Sequence, residues 1–112
     1  MRSIITGLLL IGSSLASELS ASYGQYLNGS QMLTPALIDR MYGEYRMQPR
    51  DSTLERYLNS INADRKTIFT ATLRSIVEHN SNPANTWTKG LNEFSDMTEK
   101  EFADYYRIVK SD

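Results

Sequence analysis

The strongest constraint on this chain is an apolar row that runs from Leu54 to Asn80. Leu54, Tyr57/Leu58, Ile61, Arg65, Ile68/Phe69, Thr72/Leu73, Ile76 and Asn80 follow one another in steps of three and four. That spacing lines one side of an α-helix. Ser52 and Glu55 stand ahead of the row at capping-box spacing, and Asn80-Ser81-Asn82-Pro83 stops it. The row predicts one long helix over about 52–80, far above the average of about 11–12 residues, and so a spine for other elements. Arg65 and Asn80 stand on its apolar side, where polar groups need partners once buried.

Two further helices flank this spine in sequence. Thr34-Pro35 supplies a capping hydroxyl and a proline at the first helical position, and Leu37, Ile38, Met41, Tyr42 and Tyr45 recur behind it at helical spacing. Pro49 ends that element. Thr98 and Glu101 form a second capping box, predicting a short helix through about Arg107 with Phe102, Tyr105 and Tyr106 as its aromatic surface. Between spine and last helix, Thr86-Trp87-Thr88-Lys89 alternates in the manner of a short strand. The expected fold is mainly α: a small three-helix domain with one long central helix, a short strand and an extended C-terminal tail.

The termini read differently. Met1-Arg2, the apolar run Ile4–Ile11 and the small residues Gly12, Ser13, Ser14 and Ala16 have the layout of a secretory signal peptide over 1–16, with cleavage after Ala16. A buried N-terminal helix is the other reading. The apolar run is too short for a stable membrane anchor. Residues 17–33 show no sustained period and read as a flexible arm. Within it, Asn28-Gly29-Ser30 is either a glycosylation sequon or simply a turn.

Composition narrows the chemistry. The 112 residues hold no cysteine and one histidine, His79, which leaves no thiol nucleophile, disulfide or multi-histidine metal site. A net charge of −1 argues against a nucleic-acid partner. The expectation is a protein without cofactor or metal, not an enzyme, off the membrane once the leader is gone, and monomeric when free.

The long row and the strip after it resemble the inhibitory propeptide of papain-like, cathepsin L-type cysteine proteases. That family's helix carries Glu, Arg, Phe, Asn, Ile and Asn at set intervals; Arg65, Phe69, Ile76 and Asn80 stand at matching places, with Ile68 ahead of the phenylalanine and His79-Asn80 at the end. The family's second motif, Gly-x-Asn-x-Phe-x-Asp, is complete as Gly90, Asn92, Phe94 and Asp96. The resemblance covers about Tyr57 to Tyr106. The glutamate position is Ile61 and the first asparagine position is Thr72. Arg65 must therefore find another carboxylate, with Glu99, Glu101 and Asp104 as candidates. The family's tryptophan-rich first helix is not recognisable: either residues 34–48 take its place after an insertion, or that helix is divergent.

The resemblance implies an inhibitor domain over 34–106 that acts on a papain-like protease. It implies docking through Trp87, Phe94, Phe102, Tyr105 and Tyr106, with Arg107, Ile108 and Val109 at the start of a tail (107–112) directed into the active-site cleft against the substrate direction. Asp96, Glu99, Glu101 and Asp104, set near Lys89, Lys100 and Arg107, suggest inhibition that weakens as pH falls from neutral to lysosomal values. A free-standing inhibitor is favoured over the front of a zymogen. A secreted helical binding module unrelated to proteases is the alternative from another class. The implied compartment is secreted or lysosomal/endomembrane lumen.

Overall fold

The computed structural model describes residues 18–110; the expected leader over 1–16 and the last two residues of the tail lie outside them. Residues 18–22 are helical, and five helices follow: α1 (Gly24–Leu27), α2 (Pro35–Arg46), α3 (Ser52–Asn59), α4 (Arg65–Ser81) and α5 (Glu99–Lys110). The mainly helical class is as expected, and no strand occurs among the described residues.

The spine is two helices instead of one. The chain leaves helical geometry at Ser60 and resumes at Arg65, where the Asp64 carboxylate accepts hydrogen bonds from the Thr67 amide (3.2 Å) and hydroxyl (2.7 Å). That cap satisfies donors a new helix would otherwise leave orphaned. The row divides across this break: Leu54 and Leu58 join a cluster with Met97, whereas Phe69, Leu73 and Ile76 enter the main core. Ile61, where the family has its glutamate, falls in this connection.

The start of α3 also differs from expectation. Asp51, not Ser52, is the capping residue, accepting from Thr53 (2.9 Å) and Leu54 (3.3 Å) amides. Glu55 turns away to meet Arg50 at 2.9 Å. By contrast, Thr34 caps α2 as read from sequence, with its hydroxyl 3.2 Å from the Leu37 amide.

The main core lies where α4 crosses α1 and α2. Phe69, Leu73 and Ile76 of α4 are buried against Ile38, Met41 and Tyr45 of α2, with Leu91 closing one side. Phe69 is fully buried, its ring centroid 4.8 Å from that of Tyr45 and 5.3 Å from that of Tyr42. Residues 17–33, expected as a flexible arm, contribute to this core across their described part. Leu19, Tyr23 and Leu27 recur every fourth residue, all three are buried, and the Tyr23 hydroxyl donates to Glu44 at 2.9 Å. Burial of each such side chain is worth about 1.5–3 kcal/mol, which is why the segment is helical despite its small, polar neighbours.

A second, smaller cluster joins α3 to the strip ahead of α5: Leu54, Leu58 and Met97, flanked by Tyr57, Phe94 and Tyr105. The expected extended tail is instead the last turn of α5, which continues through Arg107, Ile108 and Val109 to Lys110. No glycine or proline interrupts that stretch, so helical hydrogen bonding continues.

Candidate functional site

Residues 82–98 connect α4 to α5 without a strand, and side chains secure them instead of a β-ladder. Asn80 donates from Nδ2 to the carbonyls of Leu27 and Lys89 (3.0 Å each), and its Oδ1 accepts from the Lys89 amide at 2.7 Å. One residue on the apolar side of α4 thereby ties α1 to the strip. His79 lies 3.1 Å from the Trp87 carbonyl through Nε2, with the indole 4.1 Å from its ring. Thr86-Trp87-Thr88-Lys89, expected as a strand, has no neighbouring strand for its backbone to join.

The four motif positions each have a physical task. At Gly90 a Cβ would come within 3.1 Å of Ser20 Oγ, which accepts the Leu91 amide at 2.8 Å; the close approach suits glycine. Asn92 Oδ1 accepts from the Phe94 amide at 2.8 Å and shapes the turn. Phe94 supports the smaller cluster. Asp96 is fully buried.

Asp96 is paired with Arg50, whose Nη1 lies 2.7 Å from Oδ1. Arg50 also donates to the Glu93 carbonyl at 3.3 Å. The Tyr45 hydroxyl lies 3.4 Å from Asp96 Oδ1 and 3.0 Å from the Asn92 carbonyl, and it accepts from the Ser95 amide at 3.1 Å. Burial and the neighbouring Asp96 charge raise the pKa of Tyr45, so it remains a neutral hydroxyl. Oδ2 of Asp96 has no hydrogen-bond partner among the described residues. Its carboxylate lines a 210 Å³ cavity shared with Arg50 and Arg65, polar and large enough for water. Lys89, Lys100 and Arg107, the bases expected near Asp96 and the last helix, are not its partners: Lys100 and Arg107 pair with Asp104 on the surface of α5.

Of the three candidate carboxylates for Arg65, the structure selects Glu101. The pair is two-pronged, Nη1 to Oε1 at 2.6 Å and Nη2 to Oε2 at 3.0 Å, and Arg65 also donates to the Asp96 carbonyl. Glu101 closes the expected capping box, its Oε1 3.0 Å from the Thr98 amide and its own amide 3.1 Å from Thr98 Oγ1. The Arg65 hydrogen bonds are the main reason its pKa lies below the ordinary glutamate range, the Thr98 amide adding to them against desolvation. A depressed carboxylate contributes stability above its unfolded value, and that contribution is lost as pH falls through the folded value. The loss should therefore begin near the ordinary glutamate value of about 4.3 and be complete below the lowered one. Urea midpoints followed from pH 7 to 3 should show a smaller acid decline in Glu101→Gln than in the parent, together with lower stability at neutral pH; superimposable profiles would exclude this role.

Above these pairs, aromatic rings form a continuous surface. Phe94 and Phe102 meet edge-to-face at 5.0 Å, Phe102 stacks on Tyr106 at 6.2 Å, and Tyr105 joins Phe94 (6.4 Å) to Tyr57 (5.3 Å). Phe102 and Tyr106 remain 42% and 54% exposed, more than packing on the chain's own core would leave. Phe102 borders an 830 Å³ groove between α4 and the strip, lined also by Ile68, Thr72, Ile76, Phe94 and Met97. Ile68 thus faces this groove and Phe69 the core. Trp87, grouped with these aromatics in the sequence, stands apart on His79 with Lys89 above it. Ile108 and Val109 are exposed on the last turns of α5. Among the described residues no group of three or more His, Asp or Glu is placed to hold a metal ion. No described helix is long and apolar enough to cross a membrane.

The helical scaffold thus buries Asp96, half-buries Arg65 and Glu101, and exposes aromatics beside a groove. Residues 55–102 match the cathepsin propeptide inhibitor domain (I29), an inhibitory and non-catalytic type of domain. A probable cysteine protease RDL3 of Arabidopsis thaliana is 49% identical over 39 residues, which make up 35% of this chain and 10% of that relative's length. The chain therefore matches only a tenth of the relative. No solved structure matches this chain.

Proposed function

We propose that this protein inhibits papain-like cysteine proteases by seating the Phe94–Phe102–Tyr106 surface and its groove on the enzyme. The observation that carries the reading is the exposure of Phe102, on the rim of an apolar groove, and of Tyr106 stacked on it; Trp87 is exposed too but stands apart on His79. Partly exposed aromatics give large contact area for few frozen rotors and make efficient anchors. The enzyme's cleft is then approached from the C-terminal end of α5, beyond Arg107, Ile108 and Val109. Passage through the secretory route, by the leader over 1–16, accompanies this reading.

The test is inhibition of cathepsin L-type enzymes by residues 17–112. Phe102→Ala and Tyr106→Ala should each weaken inhibition about 10- to 30-fold, or about 1.4–2 kcal/mol, with circular dichroism unchanged. Trp87→Ala decides whether the contact surface extends past His79. Absence of inhibition below micromolar concentration would favour a helical binding module with another target.

A second reading follows from the relative's being named a protease of which this chain matches a tenth: the domain is the propeptide of a longer precursor. The transcript beyond the codon for Asp112 separates the two, since a catalytic domain there makes the inhibition intramolecular.

A further inference from the structure

We infer that Asn28 is an N-glycosylation site, carrying its oligosaccharide on the side of the domain that faces away from the aromatic groove. The inference rests on passage through the secretory route and is independent of protease inhibition. Asn28-Gly29-Ser30 is the chain's single Asn-x-Ser/Thr triplet, and all three residues are exposed. Asn28 Oδ1 accepts from the Ser30 amide at 2.8 Å, while its Nδ2 and the Ser30 hydroxyl make no hydrogen bond among the described residues. The nitrogen that would be modified is thus uncommitted, and attaching a group there disturbs no contact of the fold.

The surroundings fix where a glycan would lie. Gly29 takes φ +87° and sits against Ser81 and Val77, with Ser81 Cβ 3.0 Å from the position a Cβ would occupy. At about 100° per residue, Val77 and Ser81 lie on the opposite side of α4 from Ile68, Thr72 and Ser75, which line the aromatic groove. Beside the triplet is a separate 760 Å³ depression lined by Met32, Leu33, Arg74, Val77 and Glu78, in which Met32 is 81% exposed. Its mix of apolar walls and flanking charged groups suits the proximal sugars, whose ring faces are apolar and whose hydroxyls seek polar partners. In the transfer, Nδ2 bonds to the anomeric carbon of an oligosaccharide held on a lipid pyrophosphate. The carbon–oxygen bond to the pyrophosphate breaks, the pyrophosphate departs with the electron pair, and one Nδ2 proton is released.

Translation of the full chain in the presence of endoplasmic-reticulum microsomes tests the assignment. The expected result is one slower-migrating, protease-protected form that an N-glycosidase collapses, absent from Ser30→Ala and Asn28→Gln but retained in Ser30→Thr. An unshifted product overturns the inference in either case: if protected from protease, the site fails although the leader works; if digested, the secretory reading itself fails. A shift that persists in Ser30→Ala also overturns it.

Discussion

Replacing Asp96 by alanine should cost the domain about 3–5 kcal/mol, a large share of the 5–15 kcal/mol typical of a small fold. The carboxylate is fully buried and its Arg50 partner has a side chain only 11% exposed. Deleting one ion of a buried pair leaves the other desolvated, and Arg50 would retain Glu55, the Glu93 carbonyl and the face of the Tyr45 ring but no buried counter-charge. The Tyr45 hydroxyl would also lose a neighbour. Urea unfolding followed by far-ultraviolet circular dichroism measures the effect, and a loss below about 1 kcal/mol would mean that solvent already screens the pair. Asp96→Ala should weaken inhibition only to the extent that it lowers the folded fraction, whereas Phe102→Ala should weaken it with stability unchanged.

Phe69→Ala should be of similar size, about 3–5 kcal/mol. The ring is fully buried between Tyr42 and Tyr45 on one side and the body of α4 on the other. Alanine would leave a void that two tyrosines, one tied by its hydroxyl to the 92–96 strip, cannot readily fill. Phe69→Leu should cost less because more of the volume is kept. Since Tyr45 touches both Phe69 and the Asp96 pair, the double variant should depart from additivity. Strict additivity in a double-mutant cycle would show that the apolar core and the buried ion pair are energetically separate.

Much of this arrangement is legible from residue spacing, and the failures have identifiable causes. Thr98 and Glu101 announce both the start of α5 and the carboxylate that holds Arg65, because a capping box folds its glutamate back over the helix start toward residue 96. Arg65 and Asn80 signal partners simply by being polar in an apolar row. Arg50 gives no such signal: it follows Pro49 in a loop, and its partner is 46 residues away. The break at 60–64 is hidden because the apolar spacing continues through it; only Asn62 and Asp64, residues that favour caps over helix interiors, mark it. Leu19, Tyr23 and Leu27 do stand at helical spacing, but two serines and a glycine between them dilute the pattern. The Thr-Trp-Thr alternation shows what a strand would look like without supplying a second one for it to pair with.

The involvement of residues 18–27 in the core has a consequence for what counts as the domain. The family match begins at residue 55, yet Phe69, Leu73 and Ile76 meet Leu19, Tyr23, Leu27, Ile38, Met41 and Tyr45, all upstream of it. A fragment trimmed to the matched stretch would leave one entire side of α4 wet and would remove Arg50 from Asp96. The matched stretch is therefore smaller than the packed unit, and the residues upstream of it supply the other wall of the core.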